Sequence, residues 1–236
     1  MHLAILVTNT DFSAFARARP LDDAKFASLI EDVRPAWSTT AFWVCRDEFP
    51  ESYAAFDGVV ITGSPASVND GARWMEKLEH SVRDLVAAGV PIFGACFGHQ
   101  IIAKALGARI TRNPHGWSHG LIDIARVARM DWSGSTDRLA LYGSHIEQVA
   151  KLPDGARRVF ESPGCPIAGF AIGRSVFTVQ HHPEMTKGFI IDLIGEYADH
   201  VGAEVTEQAR RSVADRPADS MKFAGEIARF FEHARQ

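Results

Sequence analysis

Short apolar runs alternate along the chain with longer segments in which apolar residues recur every three or four positions. The first run, residues 3–7 (LAILV), is typical of a buried strand. The segment 21–33 places Phe26, Leu29 and Val33 on one face, which predicts an amphipathic helix. This alternation indicates a parallel sheet covered by helices.

Further elements follow the same two patterns. The other predicted strands are 40–45, 57–62, 90–95, 109–112, 121–127, 138–142, 157–160, 167–171 and 175–180. The other predicted helices are 74–88, which Gly89 ends, 96–106, and a helical region after residue 186 with an interruption near 215–217. The chain is therefore predicted to form an α/β fold with an open, mostly parallel sheet flanked by helices.

No internal repeat, low-complexity tract or long linker divides the sequence. We therefore predict a single domain over residues 1–236, in which residues 187–236 form a helical C-terminal extension. With 236 residues, of which 46% are hydrophobic and 23% charged, the chain is long enough to bury a sizeable core.

Charge and cysteine content narrow the classes of function. The 29 acidic and 25 basic residues give a net charge of −4 without a basic block, so we expect a small-molecule substrate and no nucleic-acid partner. No apolar run approaches the roughly 18 residues of a membrane span, so no membrane association is expected. Cys45, Cys96 and Cys165 form neither a disulfide framework nor a CxxC pair, which favours a cytoplasmic location and argues against a thiolate zinc site.

Cys96 is the strongest candidate for a nucleophile. Residues 94–98 (GACFG) lie at a predicted strand-to-helix junction, which is the pattern of a nucleophile elbow with cysteine in place of serine. Both flanking glycines are needed because a Cβ at either position would collide with neighbouring elements in so sharp a turn. The helix N-terminus stabilises an anionic sulfur. The alternative, a buried small hydrophobic residue, suits Cys45 and Cys165 better.

A histidine and a carboxylate follow a later predicted strand. A nucleophilic cysteine needs a histidine to take its proton, and usually a carboxylate to orient the imidazole. His182 and Glu184 come directly after the strand at 175–180 and are two residues apart, so they can converge on one side of an extended segment. His181 then faces away as a structural residue. A helix N-terminal acid, the alternative for Glu184, is compatible with the orienting role.

Together these motifs resemble a known family. GACFGHQ at 94–100 with QHHPE at 180–184 resembles the class I (triad) glutamine amidotransferases, and ITGSP at 61–65, GW at 116–117 and SHIEQV at 144–149 extend the resemblance. The arrangement is especially similar to the stand-alone, GMP-synthase-like members, which also resemble plant γ-glutamyl peptidases. The resemblance implies a flavodoxin-like α/β architecture.

The resemblance also implies roles for the matching residues. They are nucleophile, general base and orienter at Cys96, His182 and Glu184, oxyanion-hole amides at Gly63 and Phe97, and substrate contacts at Gln100, Gly116 and Trp117. Two positions depart from the family pattern. Ser64 follows Gly63 where many members have glycine or proline, and Glu147 stands where aspartate is common. The Gly63 amide remains available in either case.

The expected reaction is hydrolysis of glutamine or another γ-glutamyl amide through a cysteine thioester, releasing ammonia and glutamate without a metal or organic cofactor. Two alternatives stay open: a γ-glutamyl peptidase that releases an amine, and a non-catalytic or partner-activated regulatory module. No nucleotide motif follows the triad, so a separate synthetase would have to accept the ammonia. The apolar face with Phe223, Ile227 and Phe230 is expected to pack internally, with a homo-oligomer surface as the alternative.

Overall fold

A nine-stranded mixed sheet forms the centre of the computed structural model, which describes residues 1–235. Across the sheet the strands are β2 (Ser38–Phe42), β1 (His2–Leu6), β3 (Gly58–Ile61), β4 (Ile92–Ala95), β11 (Val176–Val179), β10 (Cys165–Ile172), β9 (Arg157–Ser162), β6 (Ser118–Arg126) and β7 (Arg138–His145). The first five strands pair in parallel, and the remaining pairs are antiparallel. The carboxyl ends of β1, β3, β4 and β11 therefore meet at one edge, which is where open α/β sheets bind ligands.

Helices cover both faces of the sheet. They are α1 (Ala14–Arg17), α2 (Asp22–Val33), α3 (Arg73–Ala87), α4 (Phe97–Ala105), α5 (Lys187–Glu196), α6 (Ala198–Val201), α7 (Ala203–Ala214) and α8 (Ser220–Ala234). Along β1, Leu3 and Ile5 pack in the core cluster that contains the buried side chains of α2 and α8. Ala4 and Leu6 pack in a second cluster with α3 and α4. The alternation of side chains along a strand thus separates two cores, one on each face.

The C-terminal helices belong to these cores. Phe223, Ile227 and Phe230 of α8 are fully buried against the sheet, as the apolar pattern predicts. Helices α5 and α7 pack with β6 and β7 in a third cluster. None of the helices in residues 1–235 is long and apolar enough to cross a membrane.

Most predicted elements are present, with differences at the second strand, at residues 147–149 and in the C-terminal helical region. The strand predicted at 40–45 ends at Phe42, because residues 44–46 form a 3-10 turn that closes at Asp47 with φ of 66°. A two-stranded sheet of β5 (Ile110–Arg112) and β8 (Glu147–Val149) adds a strand that was not predicted. The C-terminal helical region also breaks at residue 202, where Gly202 has φ of 89°.

Candidate active site

Cys96 lies in the sharp turn between β4 and α4. Its backbone has φ of 51° and ψ of −105°, a strained conformation for a residue with a Cβ. The flanking glycines make the turn sterically feasible: a Cβ on Gly98 would lie 2.2 Å from the Ile61 carbonyl oxygen, and one on Gly94 would lie 2.6 Å from the Ile102 side chain. The predicted reason for both glycines is therefore confirmed.

His182 and Glu184 follow β11 and point to the same side. The Nδ1 atom of His182 lies 2.7 Å from Oε1 of Glu184, and both side chains are buried. The backbone fixes both partners of the site, because the Cys96 amide donates to the Val179 carbonyl and the His182 amide donates to the Tyr142 carbonyl. With Nδ1 engaged by the carboxylate, the other ring nitrogen of His182 is left for Cys96.

The electrostatics of His182 reflect these neighbours. Burial opposes protonation, but Cys96 and Glu184 outweigh it and hold the pKa of the imidazole well above its ordinary value. A cationic imidazole beside a sulfur favours the thiolate, which is the reactive form of cysteine. The arrangement can therefore supply a nucleophile together with a proton donor.

The two residues predicted to supply oxyanion-hole amides, Gly63 and Phe97, both lie next to Cys96. Gly63 follows β3 and packs so closely against His182 that an added Cβ would lie 2.7 Å from its Cε1 atom and 3.7 Å from the Cys96 Cβ. Phe97 begins α4 directly after Cys96, and its ring is buried against Trp74. The structure therefore brings Gly63, which lies 34 residues before Phe97 in the sequence, next to the turn that holds Cys96.

Two glutamines, Gln100 and Gln180, are hydrogen-bonded to each other, and Gln180 also contacts the Cys96 sulfur. Gln100 Nε2 donates to the Glu147 carbonyl at 2.8 Å and to Gln180 Oε1 at 3.1 Å, which orients the Gln180 amide. Gln180 Nε2 then lies 3.7 Å from Cys96 Sγ. The sequence analysis missed Gln180, although its place two residues before His182 on an alternating strand puts both side chains on one side.

A pocket of about 630 Å³ opens over Cys96. Its lining includes Gly63, Cys96, Gln100, Trp117 and His182. Gly116 is not among these lining residues; it closes a turn from Asn113 with φ of 84°. Its substrate contact stays a prediction.

Three buried histidines, His99, His145 and His181, lie next to one another, and His145 also lines the pocket; we term them the interior histidine cluster. Burial, reinforced by neighbouring histidines, lowers the pKa of His99 to about 3 and that of His181 well below its ordinary value. Burial likewise lowers the pKa of His145 to about 4. His181 lies 3.5 Å from Ser162 Oγ through its Nε2 atom and is not among the residues that line the pocket. Within residues 1–235 no group of three or more His, Cys, Asp or Glu residues has a metal-site arrangement.

Comparison with known proteins identifies the family of this chain. Residues 27–189 match the family described as glutamine amidotransferase class-I. A glutamine amidotransferase-like protein of Schizosaccharomyces pombe is 29% identical over 97% of this chain and 98% of its own length. Gamma-glutamyl peptidase 3 of Arabidopsis thaliana is 31% identical over 65% of each chain. A glutamine-hydrolyzing GMP synthase of Cupriavidus pinatubonensis is 33% identical over 72% of this chain but 34% of its own length.

Solved structures show the same architecture. A glutamine amidotransferase from Thermotoga maritima superposes with a TM-score of 0.74 at 20% identity, covering 98% of this chain and 96% of that protein. This likeness confirms the fold class predicted from the sequence.

Proposed function

Since the chain belongs to the class I glutamine amidotransferase family, we propose that it hydrolyses a γ-glutamyl amide through a thioester on Cys96, with His182 as general base and acid and Glu184 as its orienter. The observation that carries the proposal is the 2.7 Å contact between His182 and Glu184 beside the strained Cys96. A carboxylate on Nδ1 fixes the ring's orientation and stabilises its cationic form.

In the first half of the reaction, the Cys96 thiolate attacks the γ-carbonyl carbon of the substrate. The carbonyl oxygen takes up the negative charge, and the amides of Gly63 and Phe97 donate hydrogen bonds to it. As the tetrahedral intermediate collapses, His182 gives its proton to the departing nitrogen. The C–N bond breaks, and the glutamyl group remains on sulfur as a thioester.

In the second half, water replaces the departed nitrogen. Neutral His182 takes a proton from the water as the oxygen attacks the thioester carbonyl, and the same two amides stabilise the second oxyanion. The C–S bond then breaks, so glutamate leaves and the thiolate beside protonated His182 is restored. Atoms balance with water as the sole co-reactant, and no step draws on a metal or organic cofactor.

The hydrogen bonds of Gln100 indicate where the amino-acid end of the substrate's glutamyl group binds. Both of its N–H donors are used, by the Glu147 carbonyl and by Gln180, so the acceptor oxygen is what the side chain can offer to a ligand. A substrate α-ammonium group is a matching donor. We therefore propose that the amino-acid end of the substrate lies toward Gln100 and Glu147, with Trp117 beside it in the pocket lining.

Glutamine, with ammonia as the leaving group, is the substrate that the family name suggests. A γ-glutamyl peptide is the second candidate, favoured by the relative named gamma-glutamyl peptidase and by a pocket of about 630 Å³. This volume lies in the range that holds drug-sized ligands, so it exceeds what glutamine alone would fill. In the amidotransferase case, we propose that a separate synthetase accepts the ammonia, and the chain matches 34% of the length of its GMP synthase relative.

The test is hydrolysis by the purified chain of glutamine and of γ-glutamylglycine, compared by kcat/KM, with a diazo-ketone analogue of glutamine as a covalent probe. We expect glutamate release and mass-spectrometric labelling of Cys96, with Cys45 and Cys165 spared. Equal labelling of the three cysteines would remove the proposed nucleophile.

The same assay separates the two substrates and the regulatory alternative. Dipeptide cleavage with negligible glutaminase activity would favour the peptidase. Glutaminase activity that rises when cell lysate is added would indicate a synthetase partner that completes the pocket. No hydrolysis of either compound, with or without lysate, would favour a non-catalytic module.

Two broader features complete the proposal. We propose that residues 1–236 act as one domain, because the side chains of α8 share a core with α2 and the central strands. We also propose a cytoplasmic location, which the three free cysteines support.

A further inference from the structure

The pocket crosses the edge of the sheet from one face to the other. Gln100 belongs to α4, which packs on the face with α3. At the opposite end, the pocket is lined by Asp22 and Lys25 from the first turn of α2, whose buried residues pack on the other face. Cys96 lies between these two ends, at the carboxyl edge of the sheet.

The α2 end contains an ion pair that is almost fully buried. Lys25 Nζ lies 2.8 Å from Asp22 Oδ1, and the two side chains are 9% and 8% exposed. Asn9 donates to the other carboxylate oxygen of Asp22 at 2.8 Å, so both oxygens of Asp22 have partners. The Lys25 ammonium also lies 3.6 Å from the centre of the Phe189 ring, which covers it from α5.

The contacts with Asp22 and Phe189 hold the Lys25 ammonium group in place but leave N–H donors free for a ligand. An ammonium group has three N–H donors, and Asp22 takes one of them. Keeping a charged pair in an almost dry position is costly unless further contacts compensate. Lys25 lines the active-site pocket, so a ligand there can supply those contacts.

We propose that Lys25 binds the carboxylate of the leaving group, and that the substrate is therefore a γ-glutamyl amino acid or a γ-glutamyl peptide with a free carboxyl end. The inference rests on the proposed function, because it needs the glutamyl group at the Gln100 end. With the scissile amide at Cys96, the leaving group extends toward α2. Amino-acid and peptide leaving groups carry a carboxylate, whereas ammonia carries nothing for Lys25 to bind.

Two acidic residues in the same pocket favour a different leaving group, one that carries a positive charge. Asp11 and Glu196 also line the cavity, together with the rings of Trp117 and Tyr197. A cationic amine would suit these groups better than Lys25. The experiment therefore compares leaving groups of nearly equal size and different charge.

The test uses three substrates with the same glutamyl group: γ-glutamylglycine, its neutral amide γ-glutamylglycinamide, and the cationic γ-glutamylethylenediamine. We expect the wild-type enzyme to favour γ-glutamylglycine by about 10- to 100-fold in kcat/KM, the range for a hydrogen bond to a charged group. Lys25→Met should remove this preference, mainly by raising KM for γ-glutamylglycine, and should leave the glycinamide rate within about threefold.

Further variants guard against effects on folding. Lys25→Arg keeps the charge and should keep the preference, and Asp22→Asn combined with Lys25→Met removes it without leaving an unpaired buried carboxylate. The matched control is Lys222→Met, which removes an exposed lysine that pairs at the same spacing with Asp219, the N-cap residue of α8, and should leave all rates unchanged.

The outcomes separate this inference from the proposed function. Hydrolysis that depends on Cys96 but does not distinguish γ-glutamylglycine from the glycinamide, or that favours the cationic substrate, overturns the role of Lys25 alone. Equal losses on both substrates in Lys25→Met and in the double variant also overturn it. Failure of the wild type to hydrolyse any of the three substrates while it still hydrolyses glutamine through Cys96 overturns the role of Lys25 alone. Failure on glutamine as well overturns both proposals.

Discussion

Two buried cysteine–histidine neighbourhoods lie on either side of the segment after β11. On the pocket side, His182 lies beside Cys96 and its Nδ1 atom contacts Glu184. The pKa of His182 lies well above its ordinary value. On the interior side, Ser162 lies beside both Cys165 and His181. Burial there raises the pKa of the Cys165 thiol to about 12 and lowers that of His181.

The difference shows that a histidine buried near a cysteine is favoured in its charged form only where other groups stabilise that charge. The pocket side adds a carboxylate on the imidazole and a helix N-terminus under the sulfur, and both stabilise the charged forms. The interior side has neither, so burial keeps its groups neutral.

The largest effect should come from removing each thiol. Cys96→Ala should lower hydrolysis by about ten-thousandfold or more, because the thioester cannot form. Cys165→Ala should retain wild-type kcat within about threefold. Steady-state glutamate release measures both rates, and circular dichroism checks the fold. Comparable losses in the two variants would remove the contrast between the two sides.

Replacing the carboxylate should make the pocket side resemble the interior. Glu184→Gln should reduce kcat/KM by about a thousandfold or more, because the neutral amide no longer stabilises protonated His182. Ser162→Ala, the matched change on the interior side, should alter it by less than about threefold. Measurements of kcat/KM for the wild type and both variants at several pH values determine these changes. An unaffected Glu184→Gln enzyme would contradict the orienting role.

The interior histidine cluster should make the protein acid-sensitive. His99 and His145 have folded pKa values of about 3 and 4, below the 6.5 of a free histidine, so their contribution is present above pH 6.5 and is lost as the pH falls. Each should lower the free energy of unfolding by about 2 kcal/mol between pH 7 and pH 5. Urea denaturation at both pH values measures the loss.

The contribution of His182 to the free energy of unfolding changes with pH in the opposite direction and does not mask this loss. Its raised pKa adds stability that is fully present below pH 6.5 and disappears as the pH rises through that pKa. His145→Asn should reduce the acid loss by about 2 kcal/mol, whereas the exposed control His80→Gln should leave it unchanged. An acid loss that is the same in all three proteins would contradict the role of the cluster.

The smallest predicted effect concerns the donor to sulfur. Gln180→Met removes the amide that contacts Cys96 Sγ and should slow hydrolysis and iodoacetamide alkylation at neutral pH by about tenfold. Gln148→Met, a change of another buried glutamine in β8, is the control and should alter neither rate by more than about twofold. Faster alkylation in Gln180→Met would contradict thiolate stabilisation by Gln180.

Local sequence determined the features that depend on neighbouring residues. The elbow at 94–98 could be predicted because a nucleophile in a strained turn needs small flanking residues. The atoms packed around Gly94 and Gly98 leave no room for a Cβ at either position. The pairing of His182 with Glu184 followed from their spacing on an extended segment. Strand and helix patterns indicated the sheet and most of its elements.

Tertiary structure decided what depends on residues far apart in the chain. The contact of Gln100 with Gln180 joins positions 80 residues apart, and the antiparallel pairing of β5 with β8 has no local signal. Lys25 could not be placed in the pocket from its sequence, because an amphipathic helix shows which side is buried but not which sheet edge its first turn meets. Packing, not pattern, also raised the pKa of His182 and lowered the pKa of its neighbour His181, since burial and partner charges set a pKa.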